Sequence, residues 1–426
     1  MLKVFARITV ALLVLLLAAS PVLASGGAEE GTEGEDETIE LSMYVRYRDE
    51  ESQIPYDYAM EALQETYPNV EIEHVQQGPD PGQELRTMAA SNTLPDIFDA
   101  RLDVLDVFMD SGDAMVLNEY VEEFGYEEKM LQSAMNTLYH TDGNVYAFPF
   151  VGNEFFLLFI NRALFDEYGA PIPETFAEFE EAVEIFREND IVPVSLFGGQ
   201  SWLTVSAYDA FATRFEPKGI LGLDQGTTSI TDPAYLRAAE VMYNLIQNDF
   251  TARGVTTMEY DEARSLFYEE RAAMFMNGHW EITDSTDALG DDVDWIPFPI
   301  HPDYPENRMA FPGGGGIGGF AVSGNTDYPE MAARVAALFA EKYAEARVKF
   351  RGNPIVALDV DVESDVEMAP MMQKLSDMLP DVKSNTTFAW GMQNASGKVA
   401  LEDATQEFLA GSMAPEEFIE GVEGEF

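Results

Sequence analysis

Residues 39–98 alternate between two periodicities, and that alternation constrains the fold more than any other feature of the chain. Residues 39–47 (IELSMYVRY) alternate like a strand apart from Arg46. Residues 56–67 carry the spacing of an amphipathic helix, closed by Pro68-Asn69. VEIEHV at 70–75 is a second strand, 84–91 a second helix, and LPDIF at 94–98 begins a third strand. The order β-α-β-α-β is that of a parallel sheet with helices on its faces.

Later segments repeat the theme. Extended apolar runs lie at 143–150 and 155–160, an amphipathic helix at 176–189, a buried strand at 192–197 and a helix at about 234–247. Two α/β lobes fit this spacing better than one large sheet, and 426 residues are long enough for both. The last third is more helical, with a long amphipathic segment at 328–343 and a helical tail at 402–410 and 414–422. AAMFM at 272–276 reads as a buried strand. Asn277-Gly278 reads as a turn through positive φ, placing Trp280 at a strand end.

The first 24 residues stand apart. Lys3 and Arg7 precede an apolar stretch at 8–19, and Val22-Leu23-Ala24 fits a cleavage site before Ser25. This is the pattern of a secretory signal peptide, too short for a membrane span. Residues 25–38 (SGGAEEGTEGEDET) have the composition of a disordered acidic leader. The chain has no Cys, which removes disulfides, thiolate chemistry and a lipidated Cys anchor. A soluble mature protein in an extracytoplasmic space (periplasmic or secreted) is expected.

Acidic residues number 77 against 24 basic, for a net charge of −53. Such a surface repels nucleic acid and anionic membranes. Only eight of the basic residues are Lys. An acidic, Lys-poor surface suits high salt, where self-repulsion is screened.

Catalytic and metal motifs are missing from the pattern. His74, His140, His279 and His301 have no zinc spacing. There is no G-x-S-x-G and no P-loop, and GGGGIGG at 313–319 lacks the context of a phosphate cradle, so it reads as a flexible crossing or close backbone approach. The aromatics are more informative. Trp202, Trp280 and Trp390 each stand beside turn-forming residues near a strand end or in a loop. Arg46 and Arg48 follow the first strand, Asp99 and Arg101 the third, and Asn153 and Glu154 the run ending at Phe150. Flat apolar faces with planar hydrogen-bonding groups suit a pyranose ring, whose C–H face packs on indole while its hydroxyls are bound at the edge.

Several ordered motifs covering nearly the whole mature chain resemble the extracellular solute-binding proteins of ABC importers, in the branch that includes maltodextrin-binding members. They are LPDIF (94–98), GNVYAFPF (143–150), FINRALFDEYG (159–169), PETFAEF (173–179), FYEERAAMFMNGHW (267–280), PGGGGIGGFAVS (312–323) and NASGKVALEDA (394–404). Departures from the family pattern are Ile160 and Phe176, where Tyr and Trp are more usual, and Glu270, where Gly is common.

The resemblance implies a hinged, two-lobe periplasmic-binding-protein fold of type II, each lobe an α/β sheet flanked by helices. It puts residues 39–151 plus about 320–350 in the N-terminal lobe, and 152–319 plus about 351–426 in the C-terminal lobe. It implies a monomer without cofactor or metal that closes on a sugar or oligosaccharide and delivers it to a membrane permease. Trp280 and Trp390 fall on the family's stacking positions, and Arg46, Arg48, Asp99 and Arg101 on its hydrogen-bonding loops. The crossing at 151–154 is the expected hinge, with Asn153 and Glu154 facing the cleft. Arg46 and Arg48 depart from a neutral-sugar pattern and favour an acidic sugar.

Rival readings differ in chemistry. A secreted glycoside hydrolase using two of the many carboxylates would turn its oligosaccharide over. A polyamine or Fe³⁺ binder of the same fold would use carboxylates with aromatics, or with tyrosines such as Tyr44, Tyr47, Tyr56 and Tyr58. A purely structural surface protein explains neither the tryptophans nor the crossings. The charge balance itself makes a prediction. Thermal unfolding should move to higher temperature between low and molar salt, and a midpoint indifferent to salt would reject the saline-habitat reading.

Overall fold

A computed structural model describes residues 38–78, 80–140 and 142–426; the expected signal peptide and nearly all of the leader lie outside the described residues. Its strands are β1 (Ile39–Val45), β2 (Val70–Gln76), β3 (Ile97–Arg101), β4 (Ala147–Phe148), β5 (Phe156–Asn161), β6 (Val192–Ser195), β7 (Ala272–Gly278), β8 (Val293–Ile296), β9 (Ala310–Phe311), β10 (Gly318–Val322) and β11 (Ser384–Asn385). They form a five-stranded sheet in the order β2-β1-β3-β10-β4, a four-stranded sheet β6-β7-β5-β8, and a small parallel pair β11-β9.

In the first sheet β1 runs parallel to both β2 and β3, as the βαβ pattern requires, and β10 joins antiparallel between β3 and β4. Alternation along β1 splits its side chains. Leu41, Met43 and Val45 enter the core beneath the helix Pro329–Arg351, whereas Tyr44 enters a smaller core with Phe98 and Leu105 on the other face. The LPDIF segment owes its Asp to stitching. Asp96 accepts from the Ser42 N–H at 2.8 Å, the Ser42 hydroxyl at 2.7 Å and the Thr326 hydroxyl at 2.6 Å, pinning β1, β3 and the approach to the long helix together.

The second sheet is buried on both faces. Every residue of β5 and β7 is buried, in a core closed by the helices Phe176–Glu188, Ser201–Ala212 and Pro233–Gln247 and by the C-terminal pair Ala395–Leu409 and Pro415–Val422. Two motifs here are helix starts. Asn161 accepts from the Leu164 N–H at 3.1 Å, and Thr175 with Glu178 forms a capping box.

The sheets are joined among the described residues by passes at 149–155 and 312–317, and by a third after Leu358 that reaches the second core at Met368; the segment 352–356 lies against the first of them. These segments bridge one another, Phe155 opposite Gly313 and Val151 opposite Val356. The Gly314 N–H donates to the Glu154 carbonyl at 2.6 Å. Gly314 takes φ +115, and a Cβ there would sit 2.1 Å from the Thr386 carbonyl oxygen, so the passes touch backbone to backbone. The glycine run is thus a close approach, as its composition indicated. Before the third pass Val356 to Leu358 pack into the first core.

Two local expectations change. The first helix is Glu50–Thr66, starting upstream of residue 56. Asp49 and Ser52 form a capping box, which outweighs the backbone bond that Pro55 cannot make. Asn277-Gly278 is not a turn: β7 continues through both residues, paired with Leu157 and Phe156, and neither has positive φ. The left-handed residue is Glu270, at φ +57, where glycine is the common family residue. A side chain there costs about 1–2 kcal/mol. Glu270→Gly should therefore stabilise the protein by about 1 kcal/mol, after the added unfolded-state entropy of glycine is subtracted. Urea denaturation checks this, and a destabilised variant would show that Glu270 makes compensating interactions.

Candidate functional site

Trp280 follows the end of β7 and caps the helix Glu281–Leu289. Its indole lies flat on Gly278, where any Cβ would meet three ring carbons at 2.3–2.4 Å. The glycine of the motif is needed for this stacking rather than for a turn. The indole N–H donates to the Tyr260 hydroxyl at 3.1 Å. Tyr260 in turn donates to Glu281, and Tyr268 donates to the same carboxylate at 2.6 Å. Glu281 is buried, and desolvation raises its pKa against the pull of the two phenols. A carboxylate so placed fixes the indole from behind.

Trp202 opens the helix Ser201–Ala212 and donates its N–H to Gln200 at 2.9 Å. Trp390 lies in the tight turn Ala389–Gly391, on a segment held by Thr386, whose hydroxyl donates to buried Asp209 at 2.5 Å. Burial pushes the Asp209 carboxyl up to about 7. The three half-buried tryptophans meet. Ring centroids are 5.0 Å apart for Trp202–Trp390, 6.0 Å for Trp202–Trp280 and 6.3 Å for Trp280–Trp390. Phe388 joins them, stacked on Trp390 at 4.3 Å and 17°. The fourth tryptophan, Trp295, is a core residue.

Opposite this cluster the end of β3 supplies Asp99 and Arg101. With Phe150, Val151, Gly152, Glu154, the glycine run 315–319 (which includes Ile317) and Trp390, they line a cavity of about 90 Å³ between the two sheets. That is room for a few waters. The Arg101 guanidinium lies over Trp390, 4.6 Å from the ring centroid. Desolvation pushes the Asp99 carboxyl up to about 6, opposed by Arg101 and Arg46, and raises Glu154, opposed by Arg101 and Arg347. These are carboxylates poised to accept hydrogen bonds in a partly dry cleft.

The structure thus gathers Asp99, Arg101, Glu154 and Trp390 around one cavity, with Trp202 and Trp280 adjoining. Arg46 is close enough to bias Asp99 but is paired with Asp49. Arg48 is exposed and does not line the cavity. Asn153 gives its amide oxygen to the Gly315 N–H at 2.9 Å, holding two passes together. Sequence reasoning missed Phe388, Tyr260, Glu281 and Arg347. Phe388 and Glu281 had one local signal, proximity in sequence to Trp390 and Trp280. His279 is buried, its Nδ1 accepting the Phe155 N–H at 3.3 Å, and burial with nearby Arg347 lowers its pKa to about 3, so it is neutral. The tyrosines do not assemble a metal site: Tyr44 bonds Glu84 and Tyr58 bonds Glu345. Among the described residues no cluster of His, Cys, Asp or Glu is placed to hold a metal ion, and no helix is long and apolar enough to cross a membrane.

A profile of the family described as bacterial extracellular solute-binding protein matches residues 49–346. The "Multiple sugar-binding protein" of Streptococcus mutans is 24% identical over 219 residues, 48% of this chain and 49% of that protein. The match thus spans about half the length of that curated relative. One solved structure, concerned with xylan utilization by the thermophilic bacterium Caldanaerobius polysaccharolyticus, superposes with a TM-score of 0.80 at 21% identity, covering 91% of this chain and 100% of that one. A chitin oligosaccharide binding protein superposes with a TM-score of 0.76 at 21% identity, covering 91% and 98%. These likenesses establish the two-lobe fold.

The raised Asp99 carboxyl has a pH signature. A group whose folded pKa exceeds its unfolded value contributes stability that is complete below the unfolded pKa and lost as pH rises through the folded one. For Asp99 that window runs from 3.8 to about 6. Asp99→Asn should make the fall of stability across this window shallower. Urea denaturation at stepped pH checks it, and an unchanged slope would mean the carboxyl is well solvated.

Proposed function

This chain belongs to the bacterial extracellular solute-binding proteins, and from that premise we propose that it is the substrate-binding component of an ABC importer for a sugar or oligosaccharide. The observation that carries the reading is the convergence of Trp202, Trp280 and Trp390, from three distant stretches of chain, into one aromatic cluster whose Trp390 lines a cavity with Asp99, Arg101 and Glu154. Sugar-binding relatives and an oligosaccharide-binding structural neighbour support the ligand class.

In this reading residues 39–151 plus about 320–350 form one lobe, and 152–319 plus about 351–426 the other, apart from Val356 to Leu358, which pack into the first core. The passes between them act as the hinge. The protein works outside the cytoplasm as a monomer after cleavage near Ala24. No bond is made or broken. The ligand bridges the lobes, favours the closed form by its differential affinity for that form, and is handed to the permease. Pyranose rings stack on the indoles, and the cleft carboxylates accept hydroxyl protons at their edges.

The test is a calorimetric screen of mono- and oligosaccharides, uronates and polyamines. Binding of a neutral oligosaccharide, recovered intact, is the expected result; preference for a uronate or a polyamine would move the ligand class. Trp280→Ala should weaken the best ligand by roughly tenfold or more, equivalent to about 1.4 kcal/mol of stacking. Unchanged binding by that variant would remove Trp280 from the site.

A further inference from the structure

Trp390 is the tryptophan that lines the cavity, yet neither face of its ring is open. Phe388 lies nearly parallel to it at 4.3 Å and covers one face. A ring stacked that closely leaves no space for a second group on its own side. The Arg101 guanidinium, 4.6 Å from the Trp390 centroid, therefore covers the opposite face. Arg101 comes from β3 of the first sheet, while Trp390 packs with the core of the second, so the interaction crosses the cleft.

Beyond that contact the guanidinium is held only by electrostatic attraction to the Asp99 and Glu154 carboxylates. Among the described residues it donates no hydrogen bond and closes no ion pair. Among the described residues its five N–H donors are uncommitted, while the carboxylates of Asp99 and Glu154 line the same cavity. A planar cation held by a ring face without a hydrogen bond is held weakly, and carboxylates within reach offer it a second resting place.

We propose that Arg101 is a displaceable cover on Trp390, which a sugar ring must replace in order to stack there, the guanidinium moving to the carboxylates of Asp99 and Glu154. The proposal rests on the sugar-binding reading for its ligand, though not for the cover itself. Arg101 is then a specificity-determining residue. It excludes rings that stack too weakly to exchange with a guanidinium, and it ties the lobes together until a ligand arrives.

Two measurements on the full-length mature protein test it. Without added sugar, acrylamide quenching of tryptophan emission should rise in Arg101→Ala, and the rise should vanish when Trp390→Phe is also present. Equal quenching of wild type and Arg101→Ala overturns the cover. With the best oligosaccharide from the screen, Arg101→Ala should bind roughly 2- to 30-fold more tightly, the range spanned by one cation–π interaction that the sugar no longer has to break, with the gain in the association rate. Arg101→Lys should fall between the two. Weaker binding by Arg101→Ala overturns the proposal, because Arg101 would then be a donor to the ligand. If no sugar binds either protein, the sugar reading fails, and the quenching experiment still decides whether Arg101 covers the ring.

Discussion

Between the two sheets the crossing segments touch backbone to backbone, and the rest of the structure depends on that contact. At Gly314 the chain passes so near Thr386 that a methyl group would overlap its carbonyl oxygen. Where backbones touch, their polar groups must satisfy one another, and the Gly314 to Glu154 bond does this. Beside this contact the Asn153 and Asn385 amides bond to neighbouring backbone, and other side chains project into the space around it. Asp99, Arg101, Glu154 and Trp390 converge there although they are far apart in sequence. A bulkier chain through the same passes would push the sheets apart and dissolve the site.

The aromatic cluster is rigid for a different reason. Its ring atoms are held at their polar ends, Trp280 by Tyr260 and Trp202 by Gln200, and the Trp390 segment is moored through Thr386 to Asp209. Glu281 and Asp209 are buried acids in a chain already rich in negative charge, and desolvation raises both pKa values. Such groups destabilise a fold unless donors surround them. Here the donors belong to the residues that orient the cluster, so the energetic liability and the precise placement have one source.

Much of this was legible in the chain. The βαβ alternation at 39–98 pointed to the parallel strands, because period-2 and period-3.6 patterns record which face is buried. The tryptophans were legible as a group because each stood beside turn residues. Local chemistry misled at Pro55, where a capping box just upstream carries the helix further, and at Asn277-Gly278, where glycine serves a ring and not a turn. Arg48 and Asn153 were chosen by proximity to a strand end or crossing, which does not fix where a side chain is engaged. Tyr260 and Arg347 reach the site through interactions distant in sequence, which no window of residues contains, whereas Phe388 and Glu281 stand beside Trp390 and Trp280 but carry no pattern that marks their role.

The threading of the chain between the cores also governs when they can form. The first core needs Val356 to Leu358, and the second extends from Phe155 to Val422. Neither is complete in a nascent fragment that stops short of Val356. Loop-closure entropy opposes such distant pairings, so each core is completed only after residues far along the chain are available. Neither sheet can thus be treated as a unit that folds on its own from a contiguous stretch of chain; each waits for segments made after the other has begun.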